Sequence, residues 1–164
     1  MYASDLLTRI RCDLDTIPGY IARIERENRG KREDPPSAIS HLGDYNYATY
    51  TEIRSRDPVE PDFPVDPGAV KECEEALGWY LERYAPGNSE LKIYVTALSL
   101  YLIFIARRPL HPPGMAFSDT IRITKRGDYY YCTGKRRYQD DPAALCHFCI
   151  CRAKKDPGDA SRSG

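Results

Sequence analysis

No apolar run in this sequence is long enough to cross a bilayer as a helix. The longest, Ile93 to Ala106, is 14 residues and includes Thr96 and Ser99, short of the roughly 20 that a span needs. A buried core helix is therefore expected, and no membrane association. Met1 to Ile10 lacks a basic segment followed by an apolar stretch, so no secretory signal is expected. The expected location is the reducing cytoplasm. The chain also lacks a phosphate-binding glycine motif and a nucleophile elbow. No catalytic constellation stands out: Glu72, Glu74, Glu75 and Glu82 flank the apolar stripe of one helix and read as a solvated face. There is no internal repeat, and the formal net charge is zero.

That zero hides an asymmetry. Residues 1–106 carry 12 Lys/Arg against 18 Asp/Glu, a net of −6, and residues 107–164 carry 12 against 6, a net of +6. An acidic body joined to a basic end invites docking of one on the other. A basic face can also meet an acidic partner or nucleic acid, but docking on the chain's own body or plain solvation is favoured over nucleic acid, since no aromatic-basic RNA motif accompanies the charge. With 164 residues the chain supports one ordinary core and a small appendage, not two full domains. Six cysteines in a reducing compartment point to metal or thiol chemistry before disulfides.

The apolar periodicity is helical over most of the chain. Leu6, Ile10, Leu14, Ile17, Ile21 and Ile24 recur at spacings of three and four, interrupted by Pro18 and Gly19, which predicts a kinked helix or two helices sharing one stripe. Residues 29–40 read as a polar, proline-broken linker, and Asp44 to Arg54 as a short helix or a strand. Prolines 58, 61 and 64 suggest an extended connector. Asp66 caps a helix with Pro67 in its first turn and Val70, Cys73, Leu77, Tyr80 and Tyr84 on one stripe. After Pro86 and Gly87, Asn88 or Ser89 caps a helix to Ala106 that is apolar all round and so central. Thr120 to Thr124 and Asp128 to Cys132, around Lys125-Arg126-Gly127, predict a β-hairpin, with strand confined to about 119–132. The fold class expected is mainly α, a helical bundle with a small C-terminal β-hairpin and a Cys/His zinc-binding appendage. Its units are a helical domain at 1–107, a hairpin and metal module at 108–153 and a flexible tail at 154–164.

The strongest local signal for chemistry is Cys146-His147-Phe148-Cys149. Two cysteines separated by two residues can present both sulfurs to one metal while the turn aims backbone N–H groups at them. Cys132, ending the second strand, is the natural third ligand of a tetrahedral zinc. His111, held between Pro109 and Pro112, is the favoured fourth, with His147 and Cys151 as rivals. An iron–sulfur cluster on Cys132, Cys146, Cys149 and Cys151 is the main alternative. A redox dithiol lacks its usual strand-to-helix setting. Cys73 and Cys12 read as small packed residues.

The succession Arg108-Pro109-Leu110-His111-Pro112-Pro113-Gly114, then Tyr130-Tyr131-Cys132, then Ala144-Leu145-Cys146-His147-Phe148-Cys149 resembles an uncharacterised archaeal family, seen largely in methanogens and catalogued as domain of unknown function 2115. That pattern reads H-P-x-G, Y-Y-C and L-C-x-F-C. The resemblance implies His111, Cys132, Cys146 and Cys149 as the ligand residues and an intracellular, anaerobic origin, and it brings no activity. It covers the last third of the chain closely and the helical part in general character. Ile150 and Cys151 depart from the family's proline and alanine, leaving Cys151 as an extra thiol.

Three functions follow as expectations. The leading one is an assembly or accessory factor with a structural zinc site, meeting a protein partner through the proline-rich connector or the basic module. The second is a nucleic-acid-binding protein using Arg122, Lys125, Arg126, Lys135, Arg136 and Arg137. The third is an iron–sulfur or redox protein.

Overall fold

The computed structural model describes residues 1–30, 37–57, 62–115 and 121–154. Within them the chain is mainly helical, with a small three-stranded sheet near its C-terminal end. Prolines 58 and 61 of the predicted connector, Thr120 of the predicted hairpin and the tail beyond 154 lie outside the described residues.

Helices α1 (Ala3–Asp15) and α2 (Pro18–Arg29) carry the first stripe. They are two helices because Pro18 opens α2 and crowds the residue before it out of helical geometry, leaving Ile17 at φ −123° and ψ 49°. The apolar phase survives the break, so Leu6, Ile10, Leu14, Ile17 and Ile21 are all buried. The Asp5 carboxylate accepts the Tyr2 N–H at 2.9 Å and secures the start of α1.

Helix α3 runs over Ala38–Ser55, which resolves the helix-or-strand ambiguity of 44–54. It also corrects the linker reading of its first residues. Ser37 stands just after Pro35 and Pro36, and its hydroxyl accepts the Ser40 N–H at 3.1 Å. Helix α4 (Pro67–Tyr84) has the Asp66 cap, with the carboxylate accepting the Gly68 N–H at 2.9 Å. Helix α5 (Ser89–Leu100) has the Asn88 cap, accepting the Leu91 N–H at 3.0 Å. Lys92 of α5 pairs with Glu82 of α4 across the Gly87 turn, as an antiparallel pair requires.

α5 does not simply continue to Ala106. Tyr101–Ala106 forms a π-helical turn that ends on Arg107 in the left-handed region, φ 52°. The Arg108 N–H returns to the Leu102 carbonyl at 2.9 Å and closes the helix end. Leu100 through Ile105 are buried without exception, consistent with an apolar surface on every face. Against the length argument from the sequence, the helical stretch Ser89–Ala106 is long and apolar enough to cross a membrane by composition, mean hydropathy 1.5, with over half of it buried inside the protein. Tyr101 donates to Glu52 Oε1 at 2.6 Å and accepts from Arg56 at 3.0 Å, and Arg108 pairs with the same carboxylate. The end of the central helix is thereby fastened to α3.

Strands β1 (Ile123–Arg126) and β2 (Tyr129–Cys132) form the hairpin. Its turn is Gly127-Asp128, with Gly127 at φ 58°, so Lys125 and Arg126 belong to the strand and not to the loop as expected. Strand is not confined to 119–132 either. β3 (Arg152–Ala153) lies parallel to β2 and gives the order β1-β2-β3. Between them come a one-turn helix α6 (Lys135–Tyr138) and a 3-10 turn (Leu145–His147). Leu110, Leu145 and Phe148 pack against the helical core, and the Tyr45 hydroxyl donates to the Pro109 carbonyl at 2.7 Å.

Candidate metal centre

The hairpin sets which residues face the body. Antiparallel partners share a face, so Ile123 and Cys132 lie on one side of the sheet, and Thr124 and Tyr131 on the other. Ile123 is buried, which marks its side as the inner one and carries Cys132 inward. Cys146 lies in the 3-10 turn over Leu145–His147, which packs against α4 and α6, and Cys149 follows two residues after that turn. His111 arrives from the proline-stiffened segment after the central helix.

These four residues and Cys151 border one cavity of about 430 Å³ between the helices and the sheet, walled mainly by apolar side chains such as Leu81, Leu98 and Leu102. All four sequence-predicted ligands thus line the same cavity. Among the described residues, no three His, Cys, Asp or Glu side chains already stand at metal-ligating geometry. They share a cavity without converging on one point.

Cys149 is the electrostatic centre of the group. The Cys151 thiol donates to its sulfur and holds Cys149 below the usual thiol range, against the opposing effect of burial. The backbone N–H groups of Cys151 and Leu110 donate to the same sulfur, and Lys135 adds positive charge nearby. N–H groups aimed at a thiolate are what the knuckle geometry supplies. Cys151 is itself raised by that hydrogen bond and by burial. Burial, with the neighbouring thiols of Cys149 and Cys132, raises Cys146. His111, half-buried, is lowered to about 4 by burial, so its ring is neutral at physiological pH and free of the charge that would bar ligation.

The rivals separate. His147 is exposed, stacks edge-on against Phe148 and does not line the cavity. Cys151 is buried and in contact with Cys149, so the tight turn does not keep it away. Outside the site, Cys73 is buried as expected, whereas Cys12 is exposed and is no packing residue.

Three residues near the site went unnoticed as site residues in the sequence. Lys135 donates to the carbonyls of Cys146 and Cys149, the latter at 2.8 Å, and so ties the knuckle to α6. Tyr45 sits beside the thiols and is raised by burial. Tyr80 of α4 lines the cavity. The helical period of α4 was the only available signal, and it marks Tyr80 as packed without saying against what.

Comparison with known proteins places the chain. A UPF0305 protein of Methanocaldococcus jannaschii is 28% identical over 160 residues, covering 93% of this chain and 97% of the relative. Another, of Methanopyrus kandleri, is 32% identical over 111 residues, covering 67% and 75%. A third, of Methanococcus maripaludis, is 32% identical over 102 residues, covering 62% of each. No solved structure matches. The model of the family described as an uncharacterized protein conserved in archaea, domain of unknown function 2115, matches residues 17–154, and with helices α2 to α5 and the cysteine module inside that match the chain belongs to this family.

Proposed function

We propose that the chain is an intracellular protein whose C-terminal module is held by a structural zinc ion on Cys132, Cys146, Cys149 and His111, and that it serves as an accessory or assembly factor for another protein. The observation that carries the reading is that these residues, from three separate stretches of chain, line one cavity. The donor set fits zinc: thiols, one of them already favoured as thiolate, and a neutral imidazole. Zinc binding would then contribute to folding of the module, since such a site does not exist in the unfolded chain. The zinc would cross-link the hairpin, the knuckle and the end of the central helix. A protein partner is supported by Trp79 and Ile39, large apolar residues 83% and 85% exposed on α4 and α3.

Metal analysis and visible spectroscopy of anaerobically purified protein test this reading. One zinc per chain and a colourless sample are expected. Replacing Cys132, Cys146 or Cys149 by serine exchanges a soft anionic sulfur for a protonated hydroxyl and should empty the site. His111→Ala should weaken binding without abolishing it, because Cys151 stands ready beside Cys149. Cys151→Ser should matter only alongside His111→Ala. Iron with visible absorption, or loss of metal from Cys151→Ser alone, would replace zinc and His111 with an all-cysteine cluster.

A further inference from the structure

We propose that the outer face of the three-stranded sheet binds single-stranded nucleic acid, with Arg126, Arg152 and Lys154 meeting phosphates and Tyr131 receiving a base. Strand register puts Thr124, Arg126, Tyr129, Tyr131 and Arg152 on the side opposite Cys132 and Ile123. Lys154, two residues beyond Arg152, continues it. Only Arg126 is shared with the set the sequence suggested; Tyr131 and Arg152 come from two further strands that only the fold unites with it.

The face contains a cleft of about 380 Å³ lined by Arg126, Tyr131, Arg152, Ala153 and Lys154, with no carboxylate among them. None of its three cations takes part in an ion pair among the described residues. They lie on the face opposite the buried Ile123. Three like charges held together on a small sheet repel one another, and a chain of phosphates relieves that repulsion.

The aromatic groups choose the form of polyanion. The Arg152 guanidinium lies 3.6 Å from the centroid of the Tyr129 ring, so the pair presents a flat cationic plate. Tyr131 stands two residues along on the same face. Flat plates and ring faces stack unpaired bases, which a duplex keeps inside its own stack. Strands of four residues span about 13 Å, room for about two nucleotides. Lys125, over the Tyr130 ring, lies on the other face and takes no part.

Fluorescence anisotropy of labelled oligouridylate and oligothymidylate with the full-length, metal-loaded protein tests the proposal, with unlabelled duplex as competitor. Saturable single-strand binding is expected that duplex does not displace mole for mole. Removing each cation, as Arg126→Ala, Arg152→Ala or Lys154→Ala, should weaken binding and lower the log–log salt slope by about 0.7. Tyr131→Ala should weaken it about tenfold with the slope unchanged. Arg152→Lys keeps the charge and should recover the slope but not the stacking. Circular dichroism and metal content matching wild type confirm that each variant is folded. Absence of binding at low salt, equal competition by duplex, or binding indifferent to Tyr131→Ala overturns the proposal. Finding iron in place of zinc overturns the preceding reading and leaves this one standing.

Discussion

The helical body and the cysteine module are stabilised by different means, and the contrast explains most of what distinguishes them. The body buries long stripes: Leu6, Ile10 and Leu14 of α1, Val70, Cys73 and Leu77 of α4, and every residue from Leu100 to Ile105. The module, from β1 to β3, has only Ile123 and Cys151 as buried hydrophobic residues among those described, and its longest regular elements are four residues. Burial at roughly 25 cal/mol per Å² holds the first. A segment as short as the second needs a cross-link of another kind, and the zinc proposed above would supply it.

The comparison can be broken most forcefully in the body. Leu77 is fully buried on α4, so Leu77→Ala removes contacts and leaves a cavity, costing about 2–5 kcal/mol. Chemical denaturation followed by helical circular dichroism should register that loss. The same substitution should leave the zinc stoichiometry of the folded fraction unchanged. If Leu77→Ala released metal at full helicity, body and module would not be separable supports.

A second effect sharpens the comparison through pH, in metal-free protein. His111 is held at about 4 by burial against an ordinary value of 6.5. Between those values the unfolded chain binds the proton and the folded chain does not, so stability falls as pH drops from about 6.5 towards 4. The full difference corresponds to about 3 kcal/mol. Denaturation midpoints measured across that window should fall further for wild type than for His111→Gln, which has no proton to take up at that position. Parallel curves would place His111 in water.

What the sequence made legible follows the same division. Caps and stripes in the body were readable because Asp66, Asn88 and the spacing of Leu and Ile act locally. The π turn at Tyr101–Ala106 was not, because a helix apolar on every side carries no register of its own. Its tertiary fastening, through Tyr101 and Arg108 to Glu52, joins residues about fifty positions apart. The start of α3 was hidden by Pro35 and Pro36, whose linker character outweighed the Ser37 cap. In the module, the cysteines announced themselves by spacing. The two-residue strand β3 has no periodicity to detect, and with it went the placement of Cys151 against Cys149 and of Arg152 beside Tyr129. Short elements are specified by what they pack on, and that is the least visible quantity in a sequence.

The smallest effect sets two glycines against each other, one in each region. Gly78 lies inside α4, where an added Cβ would meet nothing within 4 Å and the backbone is already helical. Alanine there narrows the unfolded ensemble without a native clash, so Gly78→Ala should stabilise by about 0.5–1 kcal/mol. Gly127 also has open space around its Cα, but it turns the β1–β2 hairpin at φ 58°. Space is no help there, since an L side chain is strained by the backbone conformation itself. Gly127→Ala should destabilise the module by about 1 kcal/mol. The two are told apart by amide hydrogen exchange resolved to segments. Gly78→Ala should slow exchange across α4 and α5. Gly127→Ala should speed it in 123–132 while leaving α1 and α5 as they were, because the hairpin can open without unfolding the helices. Faster exchange throughout the chain after Gly127→Ala would mean that module and body unfold as one unit, with the cysteine site an integral part of the core.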